Sequence, residues 1–312
     1  MTISYSLLIP TYNGLKHLSL LRPSLLDLEK KGCELVFIDS CSTDGTFEFL
    51  KKSFPTSVYS IAQSDFDHGG TRNLLINLSH GDVCIFITQD VFIKDINNFE
   101  NLIKVFSDTN IAAAYGKQVP YQKTSLFGKH LRRFNYDDKS YARCIDDKYK
   151  YGIKTAFLSN SFAAYRRSAL DEINLFKDGL ILGEDVYVGA KFLKRGLRVA
   201  YVADAQVYHS HSYTVFEEFK RYFDIGVFHN MEIWILNEFG RPEGEGMRYV
   251  KSELSYLFKH NAYYLFPEFI VRNVMKYLGY KLGRNFEYLP KNVVKRFSMH
   301  HRWWNKYFKE AL

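Results

Sequence analysis

Asp90 stands where a buried segment ends. The run CIFI at 84–87 is short, apolar and β-branched, as a covered strand requires, and it gives way to Thr88-Gln89-Asp90 before apolar Val91 and Phe92. Aspartate favours a strand-end turn, which accounts for one such residue by itself. Two more polar clusters end apolar runs in the same manner, PTYNG (10–14) and DSCSTDGT (39–46). Glu184 and Asp185 open the segment GEDVYVGAKFLKRG (183–196), and His209 and His211 follow an apolar run in VYHSHS. Acids at a helix start stabilise its dipole, and a strand-end histidine is ordinarily satisfied by its surroundings. Each group has a structural explanation alone. Together they are carboxylates, imidazoles and turn residues able to hold a polar ligand, if the chain brings them to one place.

The pattern of elements does bring most of them to one place. Strand signals at YSLLIP, ELVFID, SVYSIA, DVCIFIT and IAAAYG alternate with helix-like stretches at 15–31, 45–54, 70–79 and 98–107. This spacing reads as βαβ units on a mostly parallel sheet, whose ligands bind beyond the carboxyl ends of the strands. Residues 117–155 are polar, tyrosine-rich and weakly patterned, as an active-site loop or lid would be. The segment 183–196 predicts a helix, with acids at its start, Lys191, Lys194 and Arg195 at its end and Gly196 as the stop. LRVAYVADAQVY supplies a further strand ahead of the histidines, and the chain from about 231 reads as helical and aromatic.

Composition narrows the class. The chain is 46% hydrophobic and 24% charged, ordinary for a globular protein able to bury a sizeable core, while its 17% aromatic content is high. Cys33, Cys41, Cys84 and Cys144 lack metal-ligand spacing and read as reduced residues of a cytosolic protein. The N-terminus lacks a basic region and a long apolar stretch, so no signal peptide is expected. No apolar run approaches the length of a membrane span. Residues 247–312 carry 13 Lys and Arg against 4 Asp and Glu, or +9, which leaves 29 against 30 over residues 1–246, or −1. The positive charge belongs to the last fifth of the chain.

The runs IPTYNG, VFIDSCSTDGT, GGTRN, GDVCIFITQD, GEDVYVGAKFLKRG and VYHSH, in this order over roughly residues 3–225, resemble inverting family 2 glycosyltransferases of the GT-A fold. DFDHGGTRN (65–73) and TQD look like the bacterial rhamnosyltransferases that build cell-surface polysaccharides. The resemblance implies a metal-dependent inverting transfer of L-rhamnose from dTDP-L-rhamnose to a glycan acceptor, with Mg²⁺ or Mn²⁺ neutralising the leaving diphosphate. It implies that Asp90 and His209 hold the metal, with His211 as the near alternative. Thr88 stands where most relatives carry an aspartate, which lowers the charge of that site. Arg72 matches the contact to the diphosphate, His68 supplies a further donor, and Gly69 with Gly70 would let the backbone approach the ligand. Asp39 corresponds to the acceptor of a uracil or thymine imide N–H. Pro10, Thr11 and Tyr12 would line the base and ribose, and Gln89 joins the donor site. Asp44 either contacts the donor or caps a helix. Asp185 matches the base that takes the acceptor hydroxyl's proton, Glu184 would orient the site, and Asn160 in SNSFAAYRRSAL faces the acceptor side.

These readings divide the chain into a GT-A domain at 1–230 and a basic aromatic helical region at 231–312. In the latter, Ile270, Val271, Val274, Leu278 and Leu282 recur at helical spacing, with Arg272, Lys276 and Lys281 largely off that stripe. Basic, aromatic amphipathic helices suit an anionic lipid surface, which with a lipid-linked acceptor would place the protein peripherally on the cytoplasmic face of the inner membrane. Packing on the catalytic domain or on a second subunit would leave the same pattern, so a homo-oligomer stays open. A UDP-hexose donor is the alternative within the same mechanism. A nucleic-acid-binding protein is the alternative suggested by the basic tail, but no binding motif accompanies the charge. A sugar-binding scaffold with a degenerate metal site is the alternative suggested by Thr88. A dehydrogenase is disfavoured because no GxGxxG follows the first strand.

Overall fold

The computed structural model describes residues 3–310. Eight strands form one sheet: β1 (Tyr5–Thr11), β2 (Glu34–Asp39), β3 (Val58–Ser60), β4 (Val83–Ile87), β5 (Ile111–Val119), β6 (Tyr141–Arg143), β7 (Phe162–Arg166) and β8 (Arg198–Tyr208). Helices α1 (Leu15–Lys30), α2 (Thr46–Ser53), α3 (His68–Asn77), α4 (Asn97–Lys104), α5 (Leu126–Asn135), α6 (Lys148–Tyr151), α7 (Arg167–Glu172) and α8 (Glu184–Lys194) connect them. After β8 come α9 (Val215–Met231), α10 (Ile233–Phe239), α11 (Glu243–Lys259), α12 (Phe266–Arg284), α13 (Lys291–Phe297) and α14 (His301–Glu310). The strand patterns and the helix at 183–196 agree with the sequence reading to within a few residues.

The sheet order is β3-β2-β1-β4-β7-β5-β8-β6. Pairings β1–β2, β2–β3, β1–β4 and β5–β8 are parallel, whereas β7 runs antiparallel to both β4 and β5, and β6 antiparallel to β8. The chain winds outward from β1 to β3, then crosses back to β4 on the other side of β1. The carboxyl ends of β1 and β4 thus flank the reversal point, where open α/β sheets form a ligand crevice. Because β7 is reversed, its amino end, with Ser159 and Asn160 just before it, lies at the same edge.

Strands covered on both faces read as continuous apolar runs, and the burial follows. Leu7 and Ile9 join the core beneath α1 and α4, while Leu8 faces the opposite layer with Phe86 and Tyr165. That second layer continues without a break into the C-terminal helices, where Phe223, Phe286 and fully buried Trp304 belong to the same cluster.

Two expectations need correction. Residues 117–155 are not a loop: they finish β5, form α5 and add β6 to the sheet edge. Ser125 caps α5 by accepting a hydrogen bond from the Gly128 N–H at 3.2 Å. Phe127 packs with Leu257 and Phe269 of the C-terminal helices, a partner that local polarity cannot disclose. The second correction concerns α12, which is turned opposite to an ordinary amphipathic helix. Arg272 and Lys276 face inward, with Arg272 3.1 Å from Glu218 and Lys276 3.6 Å from Glu218 and 3.7 Å from Glu253. Gly279 and Gly283 let the helix backbone close onto that of Phe219 and Phe223 in α9, where any Cβ would collide with a carbonyl oxygen. Ile270, Val271, Val274, Tyr277 and Leu278 are left on the outside.

Candidate active site

The loops after β1 and β2 are laced together. Asp39 is fully buried, and its carboxylate accepts hydrogen bonds from the Thr11 hydroxyl at 3.0 Å, the Ser42 hydroxyl at 2.6 Å and the Ser42 N–H at 2.8 Å. The carboxylate expected to meet a nucleobase is therefore already strapping the two loops. Asp44 bridges two helix starts, accepting from the Leu15 N–H of α1 at 3.1 Å and the Thr46 N–H of α2 at 3.1 Å; this is the capping alternative. Asn13 and Cys41 both hold φ near +50° without being glycine, the kind of local strain that collects at ligand sites. Gln89 clamps the backbone of Tyr12, accepting its N–H at 3.0 Å and donating to its carbonyl at 2.8 Å. The Tyr12 ring stands partly exposed beside the crevice and Pro10 is half-buried beneath it.

At the start of α3, Asp67 accepts from the N–H groups of Gly69 and Gly70. The glycines serve packing here rather than ligand approach: a Cβ on Gly69 would strike the Lys177 carbonyl, and one on Gly70 would press on Asp178. Arg72 is 5% exposed and lies 3.1 Å from Glu184, with a second bond to the His68 carbonyl at 2.7 Å. One terminal nitrogen makes both contacts, while the buried Nε has no hydrogen-bond partner among the described residues.

Asn160 organises the acids of α8. Its backbone N–H donates to Asp185 Oδ2 at 3.1 Å, its side-chain Nδ2 donates to Glu184 Oε1 at 2.9 Å, and its side-chain Oδ1 accepts from the Tyr165 hydroxyl at 2.6 Å. Burial acts to raise the Glu184 carboxyl, but Arg72, with His68, outweighs it and holds Glu184 ionised. Asp185 next door is pushed the other way, by burial first and then by the fixed negative charge of Glu184. Two adjacent carboxyls with separated proton affinities form an ionised anchor and a proton acceptor.

Asp90 lies beside both histidines, its Oδ2 3.2 Å from His209 Nε2 and 3.6 Å from His211 Nε2. One ligand atom from each of the three falls within 4.8 Å of the others. Burial keeps both imidazoles neutral, lowering His209 and bringing His211 to about 4. His209 Nδ1 meets Gln118 Oε1 at 2.8 Å, so the ring proton belongs on Nδ1 and the lone pair of Nε2 points at the Asp90 carboxylate. A lone pair facing a carboxylate is an arrangement that a divalent cation resolves, so the donor set fits Mg²⁺ or Mn²⁺.

The cluster and the acid pair are connected. Gln118, which orients His209, donates through its other amide atom to the Ser159 hydroxyl at 2.8 Å, and the next residue is Asn160. A continuous path runs Asp90–His209–Gln118–Ser159–Asn160–Asp185. Gln118, Ser159 and Tyr165 were not anticipated from sequence. Gln118 follows Lys117 near the end of β5 with no local sign of a role, and only the reversed strand β7 brings Ser159 to it.

The chain matches the family model described as glycosyl transferase family 2 over residues 6–174. It is 44% identical over 305 residues to the O-antigen chain rhamnosyltransferase RfbN of Salmonella typhimurium, covering 96% of each chain. The chain belongs to glycosyl transferase family 2. The O-antigen chain rhamnosyltransferase WbaN of Salmonella anatum is 39% identical over 304 residues, covering 97% of this chain and 96% of that one. The fold is GT-A: the mannosyltransferase PcManGT of Pyrobaculum calidifontis, solved with GDP-Man and Mn²⁺, superposes with a TM-score of 0.65 at 13% identity, over 93% of this chain and 89% of that one. This chain is accordingly an enzyme, a glycosyltransferase.

Proposed function

We propose that this enzyme is a metal-dependent inverting rhamnosyltransferase that uses dTDP-L-rhamnose and a lipid-linked glycan acceptor in O-antigen assembly. The observation that carries this reading is the path through His209, Gln118, Ser159 and Asn160 that joins the Asp90–His209–His211 cluster to Asp185. It ties a cation site to a proton acceptor at one edge of the sheet. A divalent cation held by Asp90 and the histidines would neutralise the charge that builds on the departing diphosphate. Asp185 takes the proton of the acceptor hydroxyl as that oxygen attacks the anomeric carbon, and the electron pair of the breaking C–O bond leaves with the nucleoside diphosphate. Glu184, kept ionised by Arg72, fixes Asn160 and raises the proton affinity of its neighbour. The likeness of the chain over its whole length to two O-antigen rhamnosyltransferases supports the sugar.

Two surfaces support an amphiphilic acceptor at an anionic membrane. A cleft of about 580 Å³ beside Gln118 is lined by Lys129, Arg132 and Arg133 of α5 and reaches Arg248 and Tyr256 on α11. From there the chain continues into the exposed side chains of Phe258, Tyr263, Tyr264, Phe266 and the outward stripe of α12. Among the described residues no helix is long and apolar enough to cross a membrane, so this face suits peripheral contact.

Transfer from dTDP-L-rhamnose and from UDP-glucose to a lipid-linked saccharide, with NMR of the new linkage, tests the reading. Rhamnose transfer with inversion, abolished by EDTA and restored by Mn²⁺, is the expected result. A retained configuration or a clear preference for UDP-glucose overturns it.

A further inference from the structure

The last helix returns to the strand-end loops. Its anchor is internal: Trp304 is fully buried against Phe223, Phe286 and Phe308. The Met299 N–H donates to Asp224 at 2.9 Å, and the Trp303 indole N–H donates to the Gly179 carbonyl at 3.0 Å. Held this way, α14 forms one wall of a cleft of about 920 Å³ whose opposite wall includes Tyr12, Gln63, Phe66 and His68, with Ile181 between. That volume is within the range of small-ligand sites.

The two walls already touch. The Arg302 guanidinium carbon stands 5.7 Å from the centre of the Tyr12 ring, within reach of a cation–π contact. Arg302 beside the Tyr12 hydroxyl also holds that phenol below its ordinary range. Two residues earlier, just before α14, the His300 ring meets His68 edge-on at 5.3 Å, and His68 in turn meets Phe66 at 5.2 Å. Arg302, Lys306 and Lys309 bring positive charge to the cleft, while the acid that lines it, Asp67, is taken up by the N–H groups of Gly69, Gly70 and Gly179. An aromatic, positively charged cleft beside the β1 and β2 loops suits a flat ring carrying phosphates.

We propose that Arg302 is a donor-binding residue and that α14 is the outer wall of the site for the nucleoside diphosphate, Arg302 backing Tyr12 against the base and supplying counter-charge to the phosphates. This rests on the nucleotide-sugar reading above, and it makes the C-terminal helices part of the donor site rather than an appendage to it.

The test is calorimetric titration of the full chain, as wild type, R302A and R302K, with dTDP and with UDP in the presence of Mn²⁺, joined to donor kinetics. R302A is expected to bind dTDP at least about tenfold more weakly, the loss of one charge-assisted contact plus the ring contact, seen mainly as a raised donor KM. R302K keeps the charge without the planar fork and falls between. Equal dTDP affinity in wild type and R302A overturns the proposal, as does a loss confined to kcat. If R302A unfolds, an R302K variant that is folded and binds like wild type overturns it as well. A wild type that binds neither dTDP nor UDP overturns the nucleotide-sugar reading and this proposal with it, an outcome distinct from unequal or equal variants.

Discussion

Asp90 and Asp185 are the same residue type, each at the end of a regular element on one edge of the sheet, yet their surroundings fit them to different tasks. Asp90 closes a buried strand and faces the ring nitrogens of two histidines, a donor set suited to a cation. Asp185 opens a helix beside Glu184, whose permanent charge holds the Asp185 proton more tightly. Burial acts on both, so burial does not decide the difference. The neighbours decide it: imidazole nitrogens beside Asp90, a second carboxylate beside Asp185. A cation site and a base site arise in one crevice from identical side chains, and the Gln118–Ser159 bridge keeps them in fixed relation.

The largest effect is expected from removing the cation side. Asp90→Ala should abolish transfer and metal-dependent donor binding, with a melting temperature close to wild type. Loss of a principal charge partner costs at least several kcal/mol of transition-state stabilisation. Activity above about a tenth of wild type would remove Asp90 from the metal role.

The base side breaks differently. Asp185→Asn keeps the size and the cap but cannot accept a proton, so transfer should fall roughly 10²-fold or more while donor affinity is retained. Glu184→Gln should register first in stability, because it leaves Arg72 buried without its partner, a loss of about 3–5 kcal/mol for pairs of this kind. Urea unfolding of the two variants separates them. A rate loss from Glu184→Gln with unchanged stability would exchange the two roles.

The comparison also has a pH signature. Asp185 is raised to about 7, and only its ionised form accepts a proton. Donor-saturated activity should therefore rise with pH through this region and level off above it. The sign for stability is opposite. The folded protein retains a proton that the unfolded chain has released above about pH 4, so stability is lost as pH climbs between the two values. Asp185→Asn should accordingly be more stable than wild type at pH 8. A pH profile that stays flat down to pH 5 would place the base elsewhere.

Much of the site is readable in the sequence, because strand-end residues are local: PTYNG, DSCST, TQD and HSH lie where apolar runs stop, and the parallel topology gathers the ends of β1, β2, β4 and β8. What sequence conceals is pairing over distance. Nothing local to Arg72 announces that its buried partner is Glu184, more than a hundred residues later. Gly69 looks like a ligand contact until the Lys177 carbonyl fills the space. The tail misleads most. Its charge suggests a cationic face, but Arg272 and Lys276 are buried against acids of α9 and α11, and the side of α12 turned outward is the apolar one.

That reversal gives the smallest and most discriminating prediction. If attachment to anionic vesicles depended on charge alone, high salt would release the protein completely, each surface cation contributing about 1 kcal/mol. With Arg272 and Lys276 withdrawn, apolar burial by Ile270, Val274, Tyr277 and Leu278 should carry a share of the binding that salt does not remove. Sedimentation with anionic vesicles should thus weaken several-fold in high salt and still exceed that of an I270E/V274E double variant, whose exposed positions allow the change without loss of fold or donor binding. Complete release by salt, together with a double variant that sediments like wild type, would return the membrane contact to the basic residues of α13 and α14 and leave the outer stripe of α12 without a part in it.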